Sequence, residues 1–238
     1  MTTLLFYQTP MPLNATTSPR RRVRPPHGDY RFAANTNAVP LAAVEFFDVA
    51  REYPIVFTDD EKPYPVMLSG VRHQQNLLVG ADGSWQGRYV PAFVRRYPFV
   101  LGERPDGRNF DVYIDEGYAG IDSDDGERLF NDAGSPTPYL QQTLEFLSQF
   151  QGKIERTTHF VARLKEQDLL VPRRLEVGRP GQPPSVLQGF RVVDEAKLAT
   201  LDDAALLALA RSGLLAWIHA HLMSLRNVAA LAERQDKT

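Results

Sequence analysis

From Leu147 onward, Phe150, Ile154, Thr157, Val161 and Leu164 recur at alternating steps of three and four. That spacing predicts one helical stripe running to about Leu170. Thr137 followed by Pro138 supplies its start, an N-cap hydroxyl with proline at the first helical position. Gly152 either divides the stripe into two helices or sits inside one at a cost of about 1 kcal/mol, and Pro172 ends it. After Thr200 a second helical pattern begins, with Thr200 and Asp203 as a capping-box-like pair. Leu206, Leu209, Leu214, Trp217, Ile218 and Leu222 give it a broad apolar face, the pattern of a buried or partner-facing helix.

Elsewhere the runs are strand-like. Residues 53–58, 64–71 and 76–79 are short β-branched and aromatic runs separated by Asp, Lys, Pro and Gly, which predicts an antiparallel meander. Residues 110–115 form another strand, followed by an acidic loop to Asp125. Residues 175–177 and 186–193 read as a hairpin around a loop rich in proline and glycine. Short helices are expected over residues 43–51, stopped by Pro54, and between Pro91 and Pro98. The expected class is α+β: a mainly antiparallel sheet with flanking helices and a long C-terminal helix.

The first 40 residues behave differently. Six prolines and the basic run from Arg20 to Arg24 deny them regular helix and uninterrupted ladders. Residues 1–40 are therefore expected as an extended arm packed on the domain, with an early strand near residues 4–7. Residues 41–238 are expected as one α+β domain.

Composition narrows the chemistry. The chain has 238 residues, 43% hydrophobic and 24% charged, with a net charge of −2 and no cysteine. Thiolate catalysis and cysteine-ligated metal centres are excluded. A slightly negative chain has no general attraction to nucleic acid, so the arginine run is read as a solvated arm or one pinned to the acidic loop. The N-terminus has no basic stretch and only a short apolar run, and no segment offers the roughly 20 apolar residues of a membrane span. The expected location is the cytoplasm.

Four patterns in the chain offer residue types suited to metal, base or ligand chemistry. His27 and Asp29 match half of a two-histidine, one-carboxylate iron site, without an assignable second histidine. His219 and His221 stand about 200° apart on a helix and cannot share one ion; His221 is expected against the apolar face with a satisfied hydrogen bond and His219 outside. The run from Asp122 to Gly126 places its glycine one position early for a calcium loop, and Ala133 stands where the bidentate glutamate belongs. The fourth pattern is the segment 85–99. Arg88, Tyr89, Arg95, Arg96 and Tyr97 are suited to carboxylates, phosphates or a partner surface, with Trp85, Phe93 and Phe99 as core anchors. Asp115 or Glu116 could serve as a base beside them. No phosphate loop, dinucleotide fingerprint or nucleophile elbow occurs, and no cofactor is expected.

The segment 85–99, with Trp85, Gly87, Tyr89, Pro91, Phe93, Tyr97 and Pro98, resembles the SapC family. So do residues 37–41 with Glu45 and Phe46, residues 53–57, and Ile114 with Asp115 and Glu116. Residues 129–134, 193–198 and 213–222 continue the resemblance, which spans about residues 4–232. It implies an association with bacterial surface-layer production or export, and with outer-membrane receptor and halogenase-like neighbours, but it brings no catalytic residues. A transporter permease of the same name is a different group, whose spanning helices this chain lacks.

Three functional expectations follow. The first is a non-catalytic accessory or binding protein whose partner is a protein or a small anionic ligand, with neither nucleic acid nor a membrane span involved. The second is an enzyme acting on an amino acid, peptide or other small carboxylate, with the arginines holding the ligand. The third is metal-dependent chemistry through His27 and Asp29.

Overall fold

The computed structural model describes residues 4–26, 28–103, 110–177 and 185–235. In chain order, the first strands are β1 (Pro10–Pro12), β2 (Arg22–Val23) and β3 (Ala38–Pro40), followed by α1 (Phe46–Val49). Then come β4 (Ile55–Thr58), β5 (Pro65–Leu68), α2 (Ala92–Arg95), β6 (Phe99–Glu103), β7 (Phe110–Asp115) and β8 (Glu127–Arg128). The second half holds α3 (Pro138–Glu166), β9 (Leu170–Val177), β10 (Ser185–Val193), α4 (Glu195–Ala199), α5 (Asp203–Arg211), α6 (Leu214–Ser224) and α7 (Asn227–Gln235).

Among the described residues all strand pairs are antiparallel, and the α+β expectation holds. A five-stranded sheet runs in the order β3-β5-β4-β10-β9, a three-stranded one in the order β1-β7-β6, and β2 pairs with β8. Pro172 does not stop a helix. It lies inside β9 at the edge of the larger sheet, where a missing N–H leaves no ladder bond broken.

The helix α3 starts as expected, with Thr137 Oγ1 accepting from the Leu140 N–H at 3.4 Å. It is continuous over 29 residues, and Gly152 sits within it. Its stripe buries Leu147, Phe150, Thr157, Val161 and Leu164, together with Phe160. Phe160 anchors the centre, its ring 6.0 Å from that of Phe46, 6.3 Å from Phe57 and 5.4 Å from Trp217. Each such buried ring contributes about 1.5–3 kcal/mol. Thr157 is tolerated there because its Oγ1 accepts from the Ala43 N–H at 2.8 Å and donates to the Lys153 carbonyl at 2.7 Å.

Several expectations are corrected. Residues 4–7 form a turn, with the Tyr7 N–H bonded to the Leu4 carbonyl, and Phe6 is buried edge-on to Phe32 and Phe93. The arm's strands come later and pair far away: Met11 opposite Ile114, Arg22 opposite Arg128, Val39 opposite Met67. Residues 76–79 are not a ladder strand. Asn76 instead donates from Nδ2 to the Ala33 carbonyl at 2.9 Å and accepts the Leu78 N–H at 3.0 Å, and β3 takes the place beside β5.

The long C-terminal helix is divided into α5, α6 and α7. Gly213 takes φ +77°, the left-handed conformation that ends helices, and α5 meets α6 at 90°. The cap of α5 is Asp202, whose Oδ1 accepts the Ala205 N–H at 2.8 Å; Thr200 ends α4 instead. The predicted hairpin is β9 and β10, and its loop of residues 178–184 lies outside the described residues.

Candidate functional site

The 85–99 segment reaches the core through one helical turn. At the start of α2 the Ala92 N–H donates to Glu45 Oε1 at 2.7 Å. Tyr89 Oη donates to the same oxygen at 2.7 Å, and the Ala42 N–H reaches Oε2 at 3.0 Å. Glu45 is buried, and its negative charge is held by these three donors. Burial, followed by the Glu45 charge, pushes the Tyr89 phenol well above its usual value. Glu45 was missed as a candidate in the sequence. An acid inside the apolar stretch of residues 41–47 was the signal available.

The seven predicted site residues divide into separate groups. Arg88 is exposed, its Nε 3.8 Å from Glu52 Oε1, and its backbone N–H donates to Glu52 Oε2 at 2.8 Å. Arg95 is exposed as well: Nε donates to the Val90 carbonyl at 3.0 Å, and the guanidinium lies 5.5 Å from the Phe146 ring and 6.0 Å from that of Tyr89. Arg96 points inward and is buried, 3.8 Å above the Phe93 ring. Its Nε and Nη2 have no hydrogen-bond partner among the described residues. Burial lowers its pKa, and Tyr7 counteracts that shift. Tyr7 is itself pushed up to about 12, mainly by burial.

Tyr97 stacks on Phe32 at 4.0 Å and donates to Asp115 Oδ2 at 3.0 Å. Asp115 is fully buried and also accepts from the N–H groups of Thr9 at 2.7 Å, Gln8 at 3.1 Å and Gly117 at 3.3 Å. That carboxylate ties the arm to the end of β7. Glu116 faces outward in an ion pair with Arg21 at 3.0 Å. The two acids are therefore not brought together with the arginines.

Around the segment lies a cavity of about 420 Å3. Tyr30, Tyr139, Phe146 and Phe99 supply aromatic wall, and Gln142 and Thr143 of α3 supply polar groups. Arg95, Arg96 and Tyr97 belong to this wall, whereas Arg88, Tyr89, Asp115 and Glu116 do not.

The other patterns resolve locally. The basic run is spent on the acidic loop: Arg21 Nε lies 3.6 Å from Asp122 Oδ1, Arg24 Nη1 lies 3.5 Å from Asp125 Oδ2, and Arg22 Nη1 donates to the Gly126 carbonyl at 2.8 Å. His219 is exposed and His221 fully buried. The iron reading rests on His27, which lies outside the described residues. Among the described residues no three His, Asp or Glu side chains gather as metal ligands.

The fold and site define an α+β protein built on antiparallel sheets and one long helix, with an arginine-walled aromatic cavity beside a short helical turn. The SapC family model matches residues 13–231, and the chain belongs to that family. No curated protein and no solved structure gives a significant match to it. Among the described residues no single helix is long and apolar enough to cross a membrane; only the bent pair α5 and α6 together reaches that length and composition.

Proposed function

We propose that this chain is a non-catalytic accessory or binding protein of a bacterial surface-layer or outer-membrane system, acting in the cytoplasm. The surface-layer and outer-membrane link comes from family membership. The observation that carries the non-catalytic half is the state of Asp115. A general base needs a free lone pair within reach of a substrate proton, and Asp115 is fully buried among Gln8, Thr9, Tyr97 and Gly117 donors. Glu116 is engaged with Arg21, and neither acid lines the cavity.

An enzyme acting on a small carboxylate is the second reading, favoured by the two arginines in the cavity wall. It lacks a carboxylate or histidine in the same wall among the described residues. The test is deletion of the gene in its native host, followed by quantitative comparison of surface-layer and outer-membrane proteins. The proposal expects a selective loss or mislocalisation of those proteins, restored by the wild type. An unchanged surface and outer-membrane composition contradicts it.

A further inference from the structure

We propose that the cavity beside α2 is a binding site for a small carboxylate with an aromatic or apolar body, with Arg95 receiving the carboxylate at the rim. The inference deepens the binding role proposed above by naming a ligand class.

Charge balance is the first support. Two arginines stand in the wall, and no acidic residue is found there among the described residues. Arg95 donates from Nε to the Val90 carbonyl and has the Tyr89 hydroxyl as a further polar neighbour, and no carboxylate pairs with its Nη groups among the described residues. Its guanidinium is steered over the Phe146 ring at 5.5 Å, and Phe146 is itself wall. The cation is thus held at the cavity by one backbone bond and one aromatic face. A planar fork without a paired acid matches a carboxylate.

Arg96 is the second support. Removing a guanidinium from water costs several kcal/mol unless charge or hydrogen bonds compensate. Here the compensation comes from the Tyr7 hydroxyl and from aromatic faces: Phe93 at 3.8 Å, with the Tyr7 and Phe150 rings farther off at 5.7 and 5.9 Å. No carboxylate pairs with it among the described residues, so its positive field is left uncancelled next to the cavity. An anion bound beside Arg95 would supply that missing charge.

The remaining wall selects the body. Tyr30, Phe99, Tyr139 and Phe146 offer ring faces and edges, whereas a phosphate site would bring several N–H groups or a long helix N-terminus. At about 420 Å3 the cavity lies at the small end of the ~300–1,000 Å3 range of small-molecule sites. Thr143 Oγ1 donates to the Tyr139 carbonyl at 3.0 Å, which leaves its lone pairs free to orient a polar substituent.

The test is calorimetric titration of the full chain with benzoate, phenylacetate and hexanoate, with phenylacetamide and inorganic phosphate as comparators. At least one carboxylate is expected to bind saturably, and its neutral amide and phosphate at least ten times more weakly. Arg95→Gln, an exposed change that leaves the core alone, is expected to weaken that carboxylate tenfold or more, while Arg88→Gln leaves it unchanged. Arg96→Met is expected to weaken it too, with a Tm no lower than that of the wild type. Absence of saturable binding for all three carboxylates overturns the site, as does equal binding of phosphate or equal loss in Arg88→Gln and Arg95→Gln. Those failures leave the accessory reading standing. Multiple turnovers of a bound carboxylate would overturn that reading and keep the site.

Discussion

Tyr97 donates its phenolic hydrogen to Asp115 Oδ2 at 3.0 Å, and both side chains are buried. Burial, then the Asp115 bond and charge, drives the Tyr97 phenol far above its usual value, so the tyrosine is a permanent donor. The pair joins α2 to the end of β7, and the same carboxylate holds the arm through the Gln8 and Thr9 N–H groups. Asp115→Asn replaces an acceptor facing only donors with a group that presents N–H to some of them. The expected loss is about 2–3 kcal/mol, read as a lower urea midpoint, together with faster proteolysis of the first 12 residues. A variant within about 0.5 kcal/mol of the wild type would contradict the tether.

His221 replaces a sheet bond. The register that pairs Phe190 with Thr58 and Arg191 with Phe57 would set Val193 opposite Ile55. There the imidazole intervenes, accepting the Val193 N–H at Nε2 (3.0 Å) and donating from Nδ1 to the Ile55 carbonyl at 2.9 Å. Ser224 Oγ accepts the Ile55 N–H at 2.9 Å, so α6 satisfies both backbone groups of that residue. Burial lowers the His221 pKa from 6.5 to about 4, and the folded state needs the neutral ring.

The sign of the pH effect follows. Between 6.5 and 4 the unfolded chain takes up a proton that the folded chain refuses, so this contribution falls as pH falls. The full loss is about 3 kcal/mol. His221→Phe removes that slope but orphans the Val193 N–H and the Ile55 carbonyl, costing about 2–4 kcal/mol at neutral pH. Urea titrations of both proteins at several pH values measure it. Parallel curves for wild type and variant across this window would refute the assignment.

Gly87 has no room for a side chain. A Cβ there would fall 1.5 Å from Tyr53 Oη, a buried hydroxyl without a partner among the described residues. Gly87→Ala should therefore destabilise by about 1–3 kcal/mol. Tyr53→Phe alone should cost little, and the double variant should recover only part of the loss, since Tyr53 Cζ would still lie 2.8 Å from the added Cβ. Thermal unfolding of the four proteins gives the coupling; simple additivity would sink the explanation.

Local pattern made part of this architecture legible. Thr137 with Pro138 and the stripe through Leu164 carry their own cap and period, the runs at residues 53–58, 64–71 and 110–115 carry strand composition between turn residues, and the structure has a helix or strand within each. The arm's strands were illegible because two or three residues show no period, and their partners lie as far away as Asp115 and Arg128. Residues 76–79 misled because their composition suits a strand, while the Asn76 side chain diverts the backbone. Gly213 was visible, but the apolar pattern runs through it, and only packing bends the chain there.

The candidate site was half legible. Arg95, Arg96 and Tyr97 share a cavity wall, a placement that the sequence left open between cavity and core. Glu45 escaped because its donors come from residues 89 and 92 across the core. Asp115 attracted attention as an acid and proved to be a tether, a distinction that depends on backbone N–H groups arriving from the arm.

In the proposed role the chain binds its ligand without turning it over. The most direct measurement of this is incubation of a trace of pure protein with metabolite extract of the native host, followed over time by mass spectrometry. The expected result is enrichment of a small carboxylate on the protein, to no more than one equivalent, and no product growing with time. A product accumulating to many equivalents per protein, and absent with Arg95→Gln, would contradict it.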